Sequence, residues 1–387
     1  MMGDRFPRAR PSIEPGTILS PGTIFFLASD LGSRGSARQL ALVAGGLPRD
    51  RFHAAVGVLG DGDTPIARQL RHLGIPVHAI PVRHALDVRG LRMLRRIVGD
   101  ANPAVVHGWG PAAVRAARVV ASSDGEGGNV PRLVASSASM PGGGLKRWLT
   151  TRRLRRCDRV VAATWAEGER YRRLGVAADR LTRIAPGIAL PEIGTDRALA
   201  LRELGLPANA KFIAVAGGLE PISGFKAAIW AFDMVRYEHP NWHLVIVGDG
   251  PDRMLLEEFG RAIMFDDFRI RFVGSRSDLP QLLVHADLVW ITHERGGISL
   301  ALEAMVAARP VLGWKNAELA EIIEDGQTGL LVPFGERAML AAASYPLLDD
   351  ADLRRKFGDA GWERAGKHFS AAHAIEQFAR LYEELAR

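Results

Sequence analysis

The chain has 387 residues, 47% of them hydrophobic, with a formal net charge of +7 at pH 7. This suits a globular protein able to bury a sizeable core, more readily in two domains than one. The lone cysteine, Cys157, excludes an intrachain disulfide and a Cys-rich zinc site. The positive balance favours anionic partners such as nucleotides, nucleic acid or an acidic membrane surface, although general arginine enrichment gives the same balance.

The opening residues, 1–20, are rich in Pro, Arg and Gly and read as a loose arm. The apolar run TIFFLA that follows is too short for a signal-peptide core and reads as a first strand. Short apolar runs then alternate with helical patterns: ARQLALVAGGL, FHAAVGVL, TPIARQLRHLG, VHAIPV, LRMLRRIVG and AVVHGW. That rhythm predicts a parallel sheet covered by helices on both faces. It continues through PRLVASS, RVVAAT and LTRIAPG, completing a first domain over 21–190. A linker over 191–210 precedes a second domain, 211–365, where the rhythm restarts with KFIAVAGG, FKAAIWAFDMVRYEH, WHLVIVGDG, RIRFVGS, LVWITH and RPVLGW. The last stretch, 366–387, has helical apolar spacing and is expected to pack back toward the first domain. The fold class is therefore α/β: two tandem Rossmann-like, doubly wound domains, with the site expected in a cleft between them, at the carboxyl ends of the strands. No run approaches the ~20 apolar residues that a spanning helix needs.

Glycine-rich strand ends carry the chemistry. The stretch WHLVIVGDGPDRMLLEEF places Gly248 and Gly250 between a strand and a helix, where glycine permits a sharp turn and close approach to a ligand. A plain strand-to-helix turn looks the same in isolation. It is followed in order by F-V-G, H-A-D-L, HERGGISLALEAM, ARPVLGW, EIIEDGQTGLLVP and FSAAHAIEQFARLYEEL. In combination, these resemble the retaining glycosyltransferases of family 4, of GT-B fold. In the first half, DLGSRGSARQLALVAGGL, VVHGWGPAAVRAARVVA and RRLGVAADRLTRIAPGIAL are similar to that family's glycine-rich loop, V-V-H segment and pre-linker stretch.

The resemblance implies a nucleotide-sugar donor, UDP- or GDP-linked, held by the second half, and a glycan, lipid-linked or small-molecule acceptor presented by the first. No metal and no resident cofactor are implied, because cations and helix N-termini neutralise the leaving diphosphate. The implied donor residues are Gly35, Gly217, Gly218, Ser223, Lys226, Gly248, Gly250, Gly296, Gly297, Ile298, Ser299 and Glu303. Glu303 matches the second carboxylate of an E-x7-E pair, the one that accepts hydrogen bonds from ribose.

Three departures qualify the match. The segment GGLEPISGFK has Gly218 and Ser223 where the family has an Arg and a Lys, so both diphosphate cations are missing. Lys226 can lean back toward a phosphate or stand as a solvated lysine. Arg295 replaces the first carboxylate, with Glu294 beside it, so the catalytic candidates are Arg295 or Glu294 together with His107 at the end of VVHGWG. Arg34 stands where the family has glycine, Ser139 where it has a histidine, and Trp109 offers a stacking platform or an ordinary core ring. A non-catalytic homologue that binds a nucleotide, glycan or partner protein is the alternative reading.

The segment LKRWLTTRRLRRCDR, within 145–159, gathers arginines around Trp148 and Leu154. It reads either as a surface for peripheral contact with an anionic membrane or as a solvated helix face. No nucleic-acid-binding pattern accompanies it. The expected location is cytoplasmic, on the inner face of the membrane if that contact forms.

Overall fold

The computed structural model describes residues 22–32, 35–82, 87–121, 130–137, 145–190 and 196–387. The proposed arm over 1–20, Arg34 and Ser139 lie outside the described residues. By internal contacts the chain forms two units. One comprises the described residues of Met1–Leu31, Leu40–Ala185 and Ile375–Arg387, and the other comprises those of Gly32–Gln39 and Pro186–Ala374.

The first unit holds strands β1 (Gly22–Ala28), β2 (Phe52–Leu59), β3 (Val77–Ile80), β4 (Val105–Trp109), β5 (Arg132–Ser136), β6 (Arg159–Ala162) and β7 (Leu181–Arg183). All pair in parallel, in the order β3-β2-β1-β4-β5-β6-β7. Between them run α1 (Gly35–Gly46), whose residues up to Gln39 belong to the second unit, α2 (Pro65–His72), α3 (Val88–Ala101), α4 (Pro111–Ala121), α5 (Leu145–Leu154) and α6 (Trp165–Arg173). The central strands are covered on both faces, which is why they read as unbroken apolar runs rather than as alternating ones. Helix starts are set by local chemistry. Thr64 accepts from the Ala67 amide ahead of Pro65, and Thr164 accepts from the Glu167 amide while the Glu167 carboxylate accepts from the Ala163 amide.

The second unit repeats the pattern with β8 (Lys211–Ala216), β9 (Trp242–Val247), β10 (Ile270–Phe272), β11 (Leu288–Ile291), β12 (Val311–Trp314) and β13 (Gly329–Val332). Their order is β10-β9-β8-β11-β12-β13, again all parallel. The apolar runs taken as strands in the sequence did not include β13. Its four residues lie at the sheet edge beside β12. The helices are α7 (Arg197–Glu203), α8 (Phe225–Arg236), α9 (Arg253–Ile263), α10 (Leu279–Leu283), α11 (Ile298–Val306), α12 (Leu319–Ile322), α13 (Arg337–Asp349) and α14 (Ala351–His368); α15 (Ala371–Ala386) follows and belongs to the first unit from Ile375 onward. In α11 every residue from Leu300 to Val306 is buried, so Glu303 is carried into the interior by a helix with no solvent face.

Candidate functional site

The turns after β8, β9, β10 and β11 surround a pocket of about 390 Å³. Gly217 and Gly218 follow β8, Gly248 and Asp249 follow β9, Ser275 and Arg276 follow β10, and His293 follows β11. The site therefore lies at the carboxyl ends of the second unit's strands, the place where parallel sheets bind ligands. The two glycine turns touch. A Cβ on Gly248 would lie 1.8 Å from the Gly217 carbonyl oxygen, and Gly248 has φ of +142°, so no other residue fits there without moving the backbone.

The pocket's far wall is the mouth of α11. Gly297 caps this helix in the left-handed conformation, with no side chain to satisfy its first amides. The amides of Ile298, Ser299 and Leu300 precede the first intrahelical bond, from the Ala301 amide to the Gly297 carbonyl, and all three residues line the pocket. Such an end is a ready anion cradle.

Against it stands the first turn of α1. Gly35 approaches so closely that a Cβ there would lie 2.0 Å from Ser299 Oγ. Arg38, three residues on and so on the same helical face, lines the pocket and donates from Nε to Glu303 Oε1 at 2.7 Å. Glu303 is 2% exposed. Burial pushes its carboxyl pKa up, and the Arg38 guanidinium opposes that shift. The other carboxylate oxygen, Oε2, is buried with no hydrogen-bond partner. A buried unpaired acceptor costs on the order of 1–3 kcal/mol. His293 forms part of the wall. Burial pulls its pKa down to about 4, so the imidazole is neutral, and its Nδ1 is also unpartnered.

The family description "Glycosyl transferases group 1" matches residues 196–364, and "Glycosyltransferase Family 4" matches residues 33–191. The chain belongs to the family-4-like GT-B glycosyltransferases. The D-inositol 3-phosphate glycosyltransferase of Corynebacterium efficiens is 33% identical over 223 residues, covering 53% of this chain and 51% of that protein. The N-acetyl-alpha-D-glucosaminyl L-malate synthase of Bacillus anthracis is 25% identical over 187 residues, covering 48% of this chain and 49% of that protein. The chain thus spans about half the length of the curated relatives it matches. In fold it is similar to Anabaena HepE, whose crystal structure was solved in complex with UDP-glucose. The TM-score is 0.80 at 21% identity, over 94% of this chain and 100% of that one.

For this family-4-like chain, the structure sorts the residues singled out by sequence. Gly35, Gly217, Gly218, Ser223, Gly248, Gly297, Ile298 and Ser299 come together around the pocket. Ser223 is engaged there, its hydroxyl donating to the Gly218 carbonyl at 2.6 Å, while Thr292 donates to the Ser223 carbonyl at 2.8 Å. Glu303 lies behind the wall, one side chain away through Arg38. Gly250 and Gly296 lie outside the lining. Lys226 is exposed and directed elsewhere: its Nζ sits 4.7 Å from the centroid of the Phe259 ring on α9, because its position in the first turn of α8 faces that neighbour. Arg295 and Glu294 are both exposed and face each other at 3.6 Å, and neither joins the pocket.

His107 is fully buried in the first unit, and both ring nitrogens are taken up, Nδ1 by the Tyr382 hydroxyl and Nε2 by Ser136 Oγ, each at 2.7 Å. Trp109 packs between His107 and Phe378 and is 6% exposed, a core ring rather than an open platform.

Sequence reasoning missed Arg38, Arg276 and His293. Arg38 had a signal, since a residue three after Gly35 shares its face of α1. Arg276 follows the F-V-G turn; its guanidinium is paired locally, 2.9 and 2.6 Å to Asp278, and lies 3.5 Å from the distant Glu203.

Proposed function

We propose that the chain transfers a sugar from a nucleoside-diphosphate sugar, UDP- or GDP-linked, to a glycan, lipid-linked or small-molecule acceptor with retention of anomeric configuration. One observation carries this reading: the uncapped mouth of α11, suited to a diphosphate, opens on the pocket formed by the glycine turns after β8 and β9. No resident cofactor is part of it. The reading includes action in the cytoplasm, with contact between residues 145–159 and anionic lipid when the acceptor is lipid-linked.

A second reading has its own support. Gly218 and Ser223 replace the two family cations, and Arg295 replaces the first carboxylate, which favours a homologue that binds a donor or glycan without transferring it. Calorimetric titration with UDP, GDP and ADP, followed by donor hydrolysis with the sugar form of whichever binds, separates the two. Binding with hydrolysis, and with product whose anomer matches the donor, is the expected result. Binding without turnover favours the second reading, and no binding of any nucleotide removes the donor site from both.

A further inference from the structure

We propose that His293 is a binding residue of the donor pocket, a neutral imidazole whose Nε2–H donates to a phosphate oxygen of the nucleoside diphosphate beside the amides of α11. The inference rests on the donor reading above and deepens it, because it adds a side-chain donor to a cradle otherwise made of backbone.

Position comes first. His293 is the second residue after β11, lines the pocket, and stands between two of its turns. A Cβ on Gly217 would lie 2.6 Å from His293 Nε2, and a Cβ on Gly297 would lie 3.9 Å from Nδ1. The Nε2 edge of the ring is therefore turned toward the glycine turn after β8, and the Nδ1 edge toward the cap of α11. Neighbouring contacts hold it there. Thr292 donates to the Ser223 carbonyl at 2.8 Å, Asn316 Nδ2 donates to the His293 carbonyl at 3.2 Å, and the Phe225 ring packs edgewise at 6.4 Å between centroids. A group fixed before the ligand arrives gives up little freedom on binding.

The place of the proton follows from burial. Nδ1 is buried with no hydrogen-bond partner. A proton there would be a buried donor without an acceptor, which is costlier than a lone pair left unpaired, so the single proton of the neutral ring belongs on Nε2. An imidazolium would carry the same orphan, and burial alone lowers the pKa to about 4.

No neighbour counters that burial. Gly217, Phe225, Gly297 and Asn316, which pack against the residue, are uncharged. The charged side chains of the pocket wall are Glu220 after β8, Asp249 after β9, Arg276 after β10 and Arg38 on α1, and the adjacent Glu294 is exposed and faces Arg295. None of them contributes to the shift. A neutral N–H beside the α11 amides suits an ionised oxygen, since the bond is charge-assisted and only one partner brings a charge to be desolvated.

The test pairs His293→Gln, whose amide nitrogen reaches the place of Nε2, with His293→Asn, whose amide stops near the place of Nδ1. Calorimetry with UDP and GDP, and ligand-observed NMR with uridine and guanosine, reads both variants. If the wild type binds none of these ligands, the donor reading itself fails and this inference fails with it. If the wild type binds a diphosphate, His293→Asn is expected to weaken it about tenfold and the matching nucleoside less than about threefold, while His293→Gln stays within about threefold of wild type for both. An unchanged diphosphate affinity in His293→Asn overturns the assignment and leaves the donor site standing. Equal losses in the two variants, or on nucleoside and diphosphate alike, overturn it too and reduce His293 to packing.

Proton counting checks the neutral state. Titrations at pH 6 in two buffers of different ionisation heat give the protons taken up on binding, and the ligand's own ionisation cancels between wild type and His293→Gln. The expected difference is zero. A wild type that takes up more protons than the variant would show a cationic imidazole and overturn the neutral form.

Discussion

Ser223 occupies the position where a family lysine is expected, and its hydroxyl is taken up by the Gly218 carbonyl, so the loop after β8 is closed by its own backbone rather than opened to a phosphate. The arginines among the pocket-lining residues are Arg38 and Arg276, on other elements. His107 illustrates the opposite case, a residue type that suggests chemistry in a position that gives it packing. Burial alone pulls its pKa from 6.5 to about 3. Between those values the unfolded chain binds a proton that the folded chain does not. Stability associated with His107 is therefore fully present above pH 6.5 and is lost as pH falls toward 3, at about 1.4 kcal/mol per pH unit. His293, lowered to about 4, adds a contribution of the same sign. Urea midpoints measured from pH 7 down to pH 5 should fall, and His107→Asn should remove one proton's worth of that slope. An identical slope in the variant would mean that His107 titrates normally.

At the scale of elements, the donor loops depend on backbone proximity. Gly248→Ala places a Cβ 1.8 Å from the Gly217 carbonyl at a φ of +142° and is expected to cost on the order of 1–3 kcal/mol. Gly366→Ala, at an exposed position in α14 with nothing within 4 Å of the added carbon, is expected to stabilise by up to about 1 kcal/mol. Chemical denaturation of the pair provides the contrast, and a neutral Gly248→Ala would show that the two turns can separate.

Gly217 and Gly248 were legible in the sequence because strand-end glycines before a helix leave a local pattern. The fate of Lys226 was not, because which side of α8 faces α9 depends on helix packing. In α5 and the turn after it, Leu154 and Cys157 are fully buried in the first unit's core, while Trp148 is 54% exposed with the Arg152 guanidinium 5.5 Å from its ring centroid. One segment thus contributes to both core and surface, and the sequence pattern alone left both readings open.

For the molecule as a whole, the net charge of +7 and the exposed Trp148 beside arginines make lipid contact testable. Among the described residues no helix is long and apolar enough to cross a membrane. The protein is expected to co-sediment with phosphatidylglycerol vesicles but not with phosphatidylcholine vesicles, to be released by salt, and to bind more weakly as Trp148→Ala. Equal binding to both lipids would exclude the charged surface as the cause.

The sequence by itself determined the two tandem parallel sheets, the family, and most of the glycine frame of the pocket. Each of these is written in local periods, turn residues and ordered motifs that survive without knowledge of distant contacts. Only the tertiary structure decided which charged side chains line the pocket. The bond between Arg38 and Glu303 joins residues 265 apart, and that between His107 and Tyr382 joins residues 275 apart. No spacing within either segment encodes such a meeting. It follows from how helices pack on sheets, which brings the first turn of α1 against α11 within the second unit and leaves the sequence's own candidates, Lys226 and Arg295, facing other neighbours.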